Sequence, residues 1–318
     1  MTTPPISPPS MRSALRASMA ALALALIVTP QRAATQTAPA ANVAVRRASA
    51  KAPPLFLWQV KSATATVYLL GSVHVANKAM YPLDARIDQA FRSADTLVLE
   101  TPMDASAQQQ AAALLQGAGL YVPPDALDKH LDEQTMARLD AALRKLGLPL
   151  QAVVAMRPWL ASLTITLMKL QTLGYEPALG IDQHYHAAAG KKRVAALETI
   201  EEQVAFFRDM PESAQIAALR QTLEQLDELP DLMRRATEAW RRGDIVTFEK
   251  LLIEPTRKEY PELYRRLLVE RNRRMTAAID RYLAGKGTTF VVIGGGHLVG
   301  ADSIVRMLQA KGHEPKQQ

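Results

Sequence analysis

No cysteine occurs among the 318 residues. That excludes a disulfide framework, a thiolate metal site and a cysteine nucleophile, and it leaves the redox compartment open. Aromatic residues are scarce at 5%. No apolar run approaches the 18 or so residues that would span a bilayer. No HExxH string is present, so any zincin-like chemistry has to be assembled from distant segments. Acidic residues are absent from the first forty positions, which carry Arg12, Arg16 and Arg32. A chain beginning at residue 41 therefore has a net charge of +4 instead of +7, an ordinary balance for a soluble protein. The pairs Arg234-Arg235, Arg241-Arg242, Arg265-Arg266 and Arg273-Arg274 are interleaved with acids in helical stretches. They read as solvated helix faces, with no nucleic-acid partner expected.

What is present begins with a positive start from Met11-Arg12 to Arg16 and a ten-residue apolar run, Met19 to Val28. Thr29-Pro30 breaks the run, and small residues follow at Ala33-Ala34 and Ala38-Pro39-Ala40. Residues 1–40 thus read as a secretory signal peptide, with Met11 as an alternative start and an uncleaved anchor as the competing reading. Residues 41–53 read as a linker, and residues 54–314 as one domain. The expected location is periplasmic or secreted, with no stable membrane span in the mature chain.

Two β-prone runs, Leu55 to Val60 and Thr66 to Leu70, flank the turn Lys61-Ser62-Ala63 and predict a hairpin. An amphipathic helix over 83–93 follows, and then a short buried strand, Thr96 to Leu99, ending in Glu100. Strand, helix and strand in this order predict parallel pairing. Residues 104–175 and 212–284 read as large helical insertions, the first including helices at 125–146 and 155–173. Between them lie a helix over 180–189, a strand Arg193 to Leu197 ending in Glu198, and a capping box Thr199-x-x-Glu202. The apolar strand Thr289 to Ile293 and a closing helix over 301–310 complete a mixed α/β fold.

One string recurs. Thr66 to Val75 aligns without a gap on Thr289 to Leu298: a threonine, four apolar residues, a glycine, two more residues and a histidine. In open α/β sheets ligands collect beyond the carboxyl ends of strands. His74, Glu100, Glu198 and His297 all fall there. Gly71 and Gly294 permit a sharp turn off each strand. Gly294-Gly295-Gly296 has a second use as an anion-binding nest. Two imidazoles and a carboxylate match a hydrolytic metal site with an open position; without a metal, a His–Glu pair is a general base. The plainer readings stand beside these. A lone histidine after a strand is commonly structural, and Glu198 or Asp182 fits the first turn of a helix. His184 and His186 do not share a helix face, and His130 and His313 read as surface residues. Arg157-Pro158-Trp159 reads as packing, with Arg157 able to bind a carboxylate.

Gly71-Ser72-Val73-His74 with Leu97-Val98-Leu99-Glu100 resembles the opening of the TraB/GumN family. Gly180-Ile181-Asp182, Gly190-Lys191 and Leu197-Glu198-Thr199 with Glu202-Gln203 resemble its middle motif, and Gly294 to Gly300 its closing one. The resemblance covers about residues 54–314. It implies an erythromycin-esterase/ChaN-like fold and kinship with the Tiki metalloproteases, in which two GxxH histidines and a glutamate hold manganese or cobalt. By position these are His74, His297 and Glu100. The expected cofactor is a divalent transition metal (manganese, cobalt or zinc), and the expected function an exported peptidase-like hydrolase. Its catalytic residues would be Glu100 and His74, with Glu198, Asp182, Arg157, Gly71, Gly294 and Gly295 around the substrate. The alternative is a protein that sequesters a peptide or signal molecule in the same cleft; haem binding by histidine is a third reading, from the ChaN-like kinship alone.

Overall fold

The computed structural model describes residues 52–318. The expected signal peptide and nearly all of the expected linker lie outside the described residues.

Six strands form one sheet: β1 (Leu57–Lys61), β2 (Ala65–Ser72), β3 (Thr96–Leu99), β4 (Arg193–Ala196), β5 (Gly287–Gly294) and β6 (Lys316–Gln317), in the order β4-β3-β5-β2-β1-β6. β1 and β2 make the predicted antiparallel hairpin. β2, β5, β3 and β4 run parallel. The two strands carrying the recurrent string are therefore direct neighbours, with Gly71 opposite Ile293 and Ser72 opposite Gly294. β6 was not expected; it adds antiparallel to β1 at the sheet's edge.

The central strands read as continuous apolar runs because both faces are covered: Leu97, Val98, Phe290, Val291, Val292 and Ile293 are all fully buried. The fold is mixed α/β, as the element pattern implies. The helices used below are α1 (Ala85–Ser93), α2 (Ala105–Gly119), α3 (Glu133–Lys145), α4 (Pro158–Thr172), α5 (Ile181–Ala187) and α6 (Ile200–Arg208). They are followed by α7 (Glu212–Gln225), α8 (Leu229–Arg241), α9 (Ile245–Leu252), α10 (Glu254–Glu259), α11 (Pro261–Tyr264), α12 (Arg271–Ala284) and α13 (Ile304–Ala310). Side-chain caps start many of them: Asp84, Asp104, Asp132, Asp244 and Ser303 each accept from a first-turn amide, and Thr199 with Glu202 forms the reciprocal capping box. The helix expected from residue 125 begins only at Glu133. Asp132 caps it there, and residues 127–129 form a separate 3-10 turn. A second apolar cluster, including Leu139, Leu143, Ile165 and Leu219, is built by α3, α4 and α7 away from the sheet. Among the described residues no helix is long and apolar enough to cross a membrane.

A candidate active site at the ends of four parallel strands

Each parallel strand delivers one polar side chain just past its C-terminal end: His74 after β2, His297 after β5, Glu100 after β3 and Glu198 after β4. The amide of Glu198 donates to the carbonyl of Glu100 at 2.9 Å, extending the ladder into the site. His74 Nε2 lies 3.6 Å from Glu100 Oε2, and His297 Nε2 lies 3.9 Å from Glu100 Oε1. Three side chains far apart in the chain meet in one hollow.

Both imidazoles are held from behind. His74 Nδ1 bonds Asp182 Oδ1 at 3.0 Å, and His297 Nδ1 bonds the amide oxygen of Asn272 at 2.5 Å. An acceptor at Nδ1 fixes a proton there and turns Nε2 into the site, the usual arrangement behind a metal-bound histidine. Asp182 reaches His74 because Ile181, which opens α5, donates to the carbonyl of Val73 at 3.1 Å. Gly180 permits that approach, since a Cβ there would lie 2.4 Å from the His74 carbonyl oxygen.

Glu100 is 4% exposed and fully engaged. Its Oε1 accepts from Gln203 at 2.9 Å and from Arg271; its Oε2 accepts from the Gly294 amide at 2.8 Å. Arg271, 2% exposed, also forks onto Glu198, with its outer nitrogen 2.6 Å from Oε2. Burial raises the Glu100 pKa, but Arg271 and the two histidines outweigh it and hold the carboxyl well below its ordinary value. The histidines diverge. Burial lowers His74, but Asp182 and Glu100 overcome it and lift it to about 10. Burial and the Arg271 charge push His297 down to about 3.

Gly294 stands at the centre. A Cβ built on it would lie 3.3 Å from Glu100 Oε2, 3.3 Å from His74 Nε2 and 3.5 Å from the His297 ring. The missing side chain leaves open the point on which the three groups converge. The amide of this glycine is already given to Glu100, which weakens the anion-nest reading of Gly294-Gly295-Gly296. Gly295 lines the hollow, but its Cβ direction faces Phe248 and Phe56. Gly71, expected around the substrate, packs instead against Phe56, and its carbonyl accepts from Trp240 Nε1 at 2.6 Å. Arg157, expected there too, lies in a separate cluster, with its guanidinium 4.8 Å above the Tyr121 ring. His130 and His313 are half-buried and bond Asp125 and Asp280, so neither is a free surface residue.

Among the described residues no group of three or more His, Asp or Glu side chains is gathered, as it stands, to hold a metal ion. The donors nevertheless suit one. Both imidazole rings and the Glu100 carboxylate border the space a Cβ at Gly294 would fill; Glu100 and Glu198 share the buried Arg271 guanidinium, and Asp182 pairs with His74. Once His74 gives up its extra proton, these carboxylates outnumber the buried cation, a difference that a dication would offset; Arg274 reaches Glu198 from the half-exposed edge, at 3.3 Å.

Arg271, Asn272 and Gln203 are absent from the sequence-based site. A signal for the first was legible: Met275, Ile279 and Leu283 form a buried stripe on α12, and one step of four residues back lands on Arg271. A charge on a core-facing stripe calls for a buried partner.

The sequence profile of the TraB/PrgY/gumN family matches residues 56–317. The uncharacterized protein YbaP of Escherichia coli (strain K12) is 24% identical over 252 residues, covering 76% of this chain and 87% of YbaP. YbaP of Shigella flexneri matches with the same 24% identity over 252 residues. No solved structure matches. The chain belongs to the TraB/PrgY/gumN family.

Proposed function

We propose that this chain is an exported hydrolase acting on peptide or related amide bonds, with His74, His297 and Glu100 holding a divalent transition metal. The observation that carries the reading is the paired anchoring of both Nδ1 atoms, by Asp182 and Asn272, which aims both Nε2 atoms at Glu100. When bound, such a metal lowers the pKa of a water molecule towards neutrality and polarises a carbonyl oxygen. The chain's own groups do the rest. Arg271 and Gln203 occupy Glu100 Oε1, so Oε2 is the oxygen that faces His74. The depressed pKa of Glu100 makes it a weak base and favours a ligand's role over proton abstraction. Asp182 keeps the remaining imidazole proton of His74 on Nδ1 once Nε2 is engaged.

The opposite shifts of the two histidines set the proton balance. At pH 7 His74, with its raised pKa of about 10, carries a proton that Nε2 must lose on ligation; His297, at about 3, is already neutral. Metal uptake at pH 7 is therefore expected to release about one proton, and apparent affinity to rise about tenfold per pH unit until His74 titrates. Calorimetric titration in two buffers of different protonation enthalpy reads that number. Up to one further proton comes from the bound water as its pKa nears neutrality; a release of no protons contradicts the assignment.

The activity is tested by incubating the metal-loaded chain with a synthetic peptide mixture and reading new termini by mass spectrometry. Cleavage that a chelator stops is expected. A stoichiometrically loaded chain that leaves the mixture intact overturns the hydrolase and leaves a binding protein using the same cleft.

A further inference from the structure

The hollow has two unlike halves. One carries His74, Glu100, His297 and Arg271; the other is apolar, made by Phe248, Leu252 and Ile253 around α9 and by Leu267 and Leu268. It opens to solvent, and its enclosed space is about 50 Å³, enough to take in the end of one side chain while the flanking backbone stays at the mouth. Leu267 and Leu268 belong to a π-helical segment, Arg265–Glu270, between α11 and α12. Such segments are rare and recur at functional sites because they re-aim side chains within a helix. Gly296 keeps the wall in place: a Cβ there would meet Ile253 Cδ1 at 2.9 Å.

Two hydroxyls in this lining are out of order. Ser72 and Thr256 both line the hollow, each is 2% exposed, and neither side-chain oxygen has a hydrogen-bond partner among the described residues. Burying an unpaired hydroxyl costs about 1–3 kcal/mol, so such groups are uncommon in native cores. Ser72 ends β2, two residues before His74, while Thr256 lies in α10. Both residues line the hollow with their oxygens shielded from solvent, and a side-chain rotation, which breaks no hydrogen bond, would bring each hydroxyl to a ligand's polar atoms.

We propose that the hollow is a selectivity pocket for one bulky apolar side chain of a peptide-like ligand, whose backbone N–H and C=O groups are taken by the hydroxyls of Ser72 and Thr256. Leu252, Ile253, Leu267, Leu268 and Phe248 receive the side chain, and the polar half receives the adjoining amide bond. This deepens the hydrolase reading by naming its substrate class, and it rests on that reading only for what happens after binding. A charged side chain is refused because the wall offers it no partner.

The test is equilibrium binding to the full chain without added metal, followed by ligand-observed NMR. The probes are N-acetyl-X-methylamides with X = Gly, Asp, Lys, Leu or Phe, together with methyl 4-methylpentanoate, which has the apolar group but no amide N–H. The Leu and Phe probes are expected to bind at least about tenfold more tightly than the Asp and Lys probes. Ser72→Ala and Thr256→Val should each weaken them about fivefold, the effect of one net hydrogen bond. Because neither hydroxyl has a partner to lose in the free protein, the Tm of both variants should be unchanged or higher. Leu268→Asp, at a half-buried position, should erase the preference. Binding that is absent, indifferent to X, or unaltered in Ser72→Ala and Thr256→Val overturns the proposal. Equal affinity for the ester assigns the pocket to acyl groups and overturns the peptide class. Apolar-selective binding without cleavage by the metal-loaded chain retains the pocket and refutes the hydrolase.

Discussion

Arg271→Met is expected to destabilise the protein by about 3–5 kcal/mol, the usual cost of stripping one partner from a buried ion pair. At about 2–4 °C per kcal/mol for a domain of this size, the Tm should fall by at least about 6 °C. The residue is 2% exposed, and its guanidinium serves two carboxylates at once, Glu198 through both oxygens and Glu100 through Oε1. Its pKa is raised: burial opposes the charge, and Glu100 and Glu198 overcome that opposition. Methionine fills a similar volume but removes the one buried cation the two carboxylates share, leaving Glu100 with His74 and Glu198 with the half-exposed Arg274. Arg271→Lys should recover only part of the loss, because an ammonium cannot fork onto both partners. Glu198→Gln in the Arg271→Met background should also recover part, by removing one stranded charge. The linkage has a definite sign. The Glu100 carboxyl is held well below its ordinary pKa, so its contribution is present at neutral pH and is lost as pH falls through the acid range. Urea unfolding of the wild type and the three variants reads these differences. An Arg271→Met protein within about 1 kcal/mol of wild type would contradict the network.

The legible part of the site was the part set by local chain geometry. A strand followed by glycine and histidine announces where the histidine leaves the sheet, and the recurrence of Thr66 to Val75 in Thr289 to Leu298 pointed to related strands, which prove to be parallel neighbours. Glu100 was legible for the same reason, as the acid that ends a buried strand. Residues supplied by helices were harder to read. Whether Asn272 meets His297, or Gln203 meets Glu100, depends on how α12 and α6 lie across the strand ends, and no spacing in the chain records that. Arg271 is the intermediate case: its place on the apolar stripe of α12 was readable, whereas its partners were not. Arg157 shows the plainer reading at work: Arg157-Pro158-Trp159 reads first as packing, and its guanidinium lies over the Tyr121 ring, away from the hollow. Asp182 sits both in the first turn of α5 and against His74, so the helix-terminus reading and the site reading describe one residue doing two things.

The second large effect concerns the metal. The wild-type chain is expected to retain about one equivalent of a divalent transition ion after loading and dialysis, because two Nε2 lone pairs and Glu100 are directed at one point. Replacing Asp182 or Asn272 should lower affinity by about 10–100-fold while leaving binding detectable, since each only orients a ring. Removing both rings leaves a single carboxylate, already engaged by Arg271, Gln203 and Gly294. That residue alone is too weak a site to survive dialysis. Elemental analysis of the dialysed wild type beside a His74→Ala, His297→Ala double variant with an unchanged circular-dichroism spectrum is therefore the most direct measurement. About one ion per chain in the first and none in the second is the predicted result; equal metal content in the two would contradict the site.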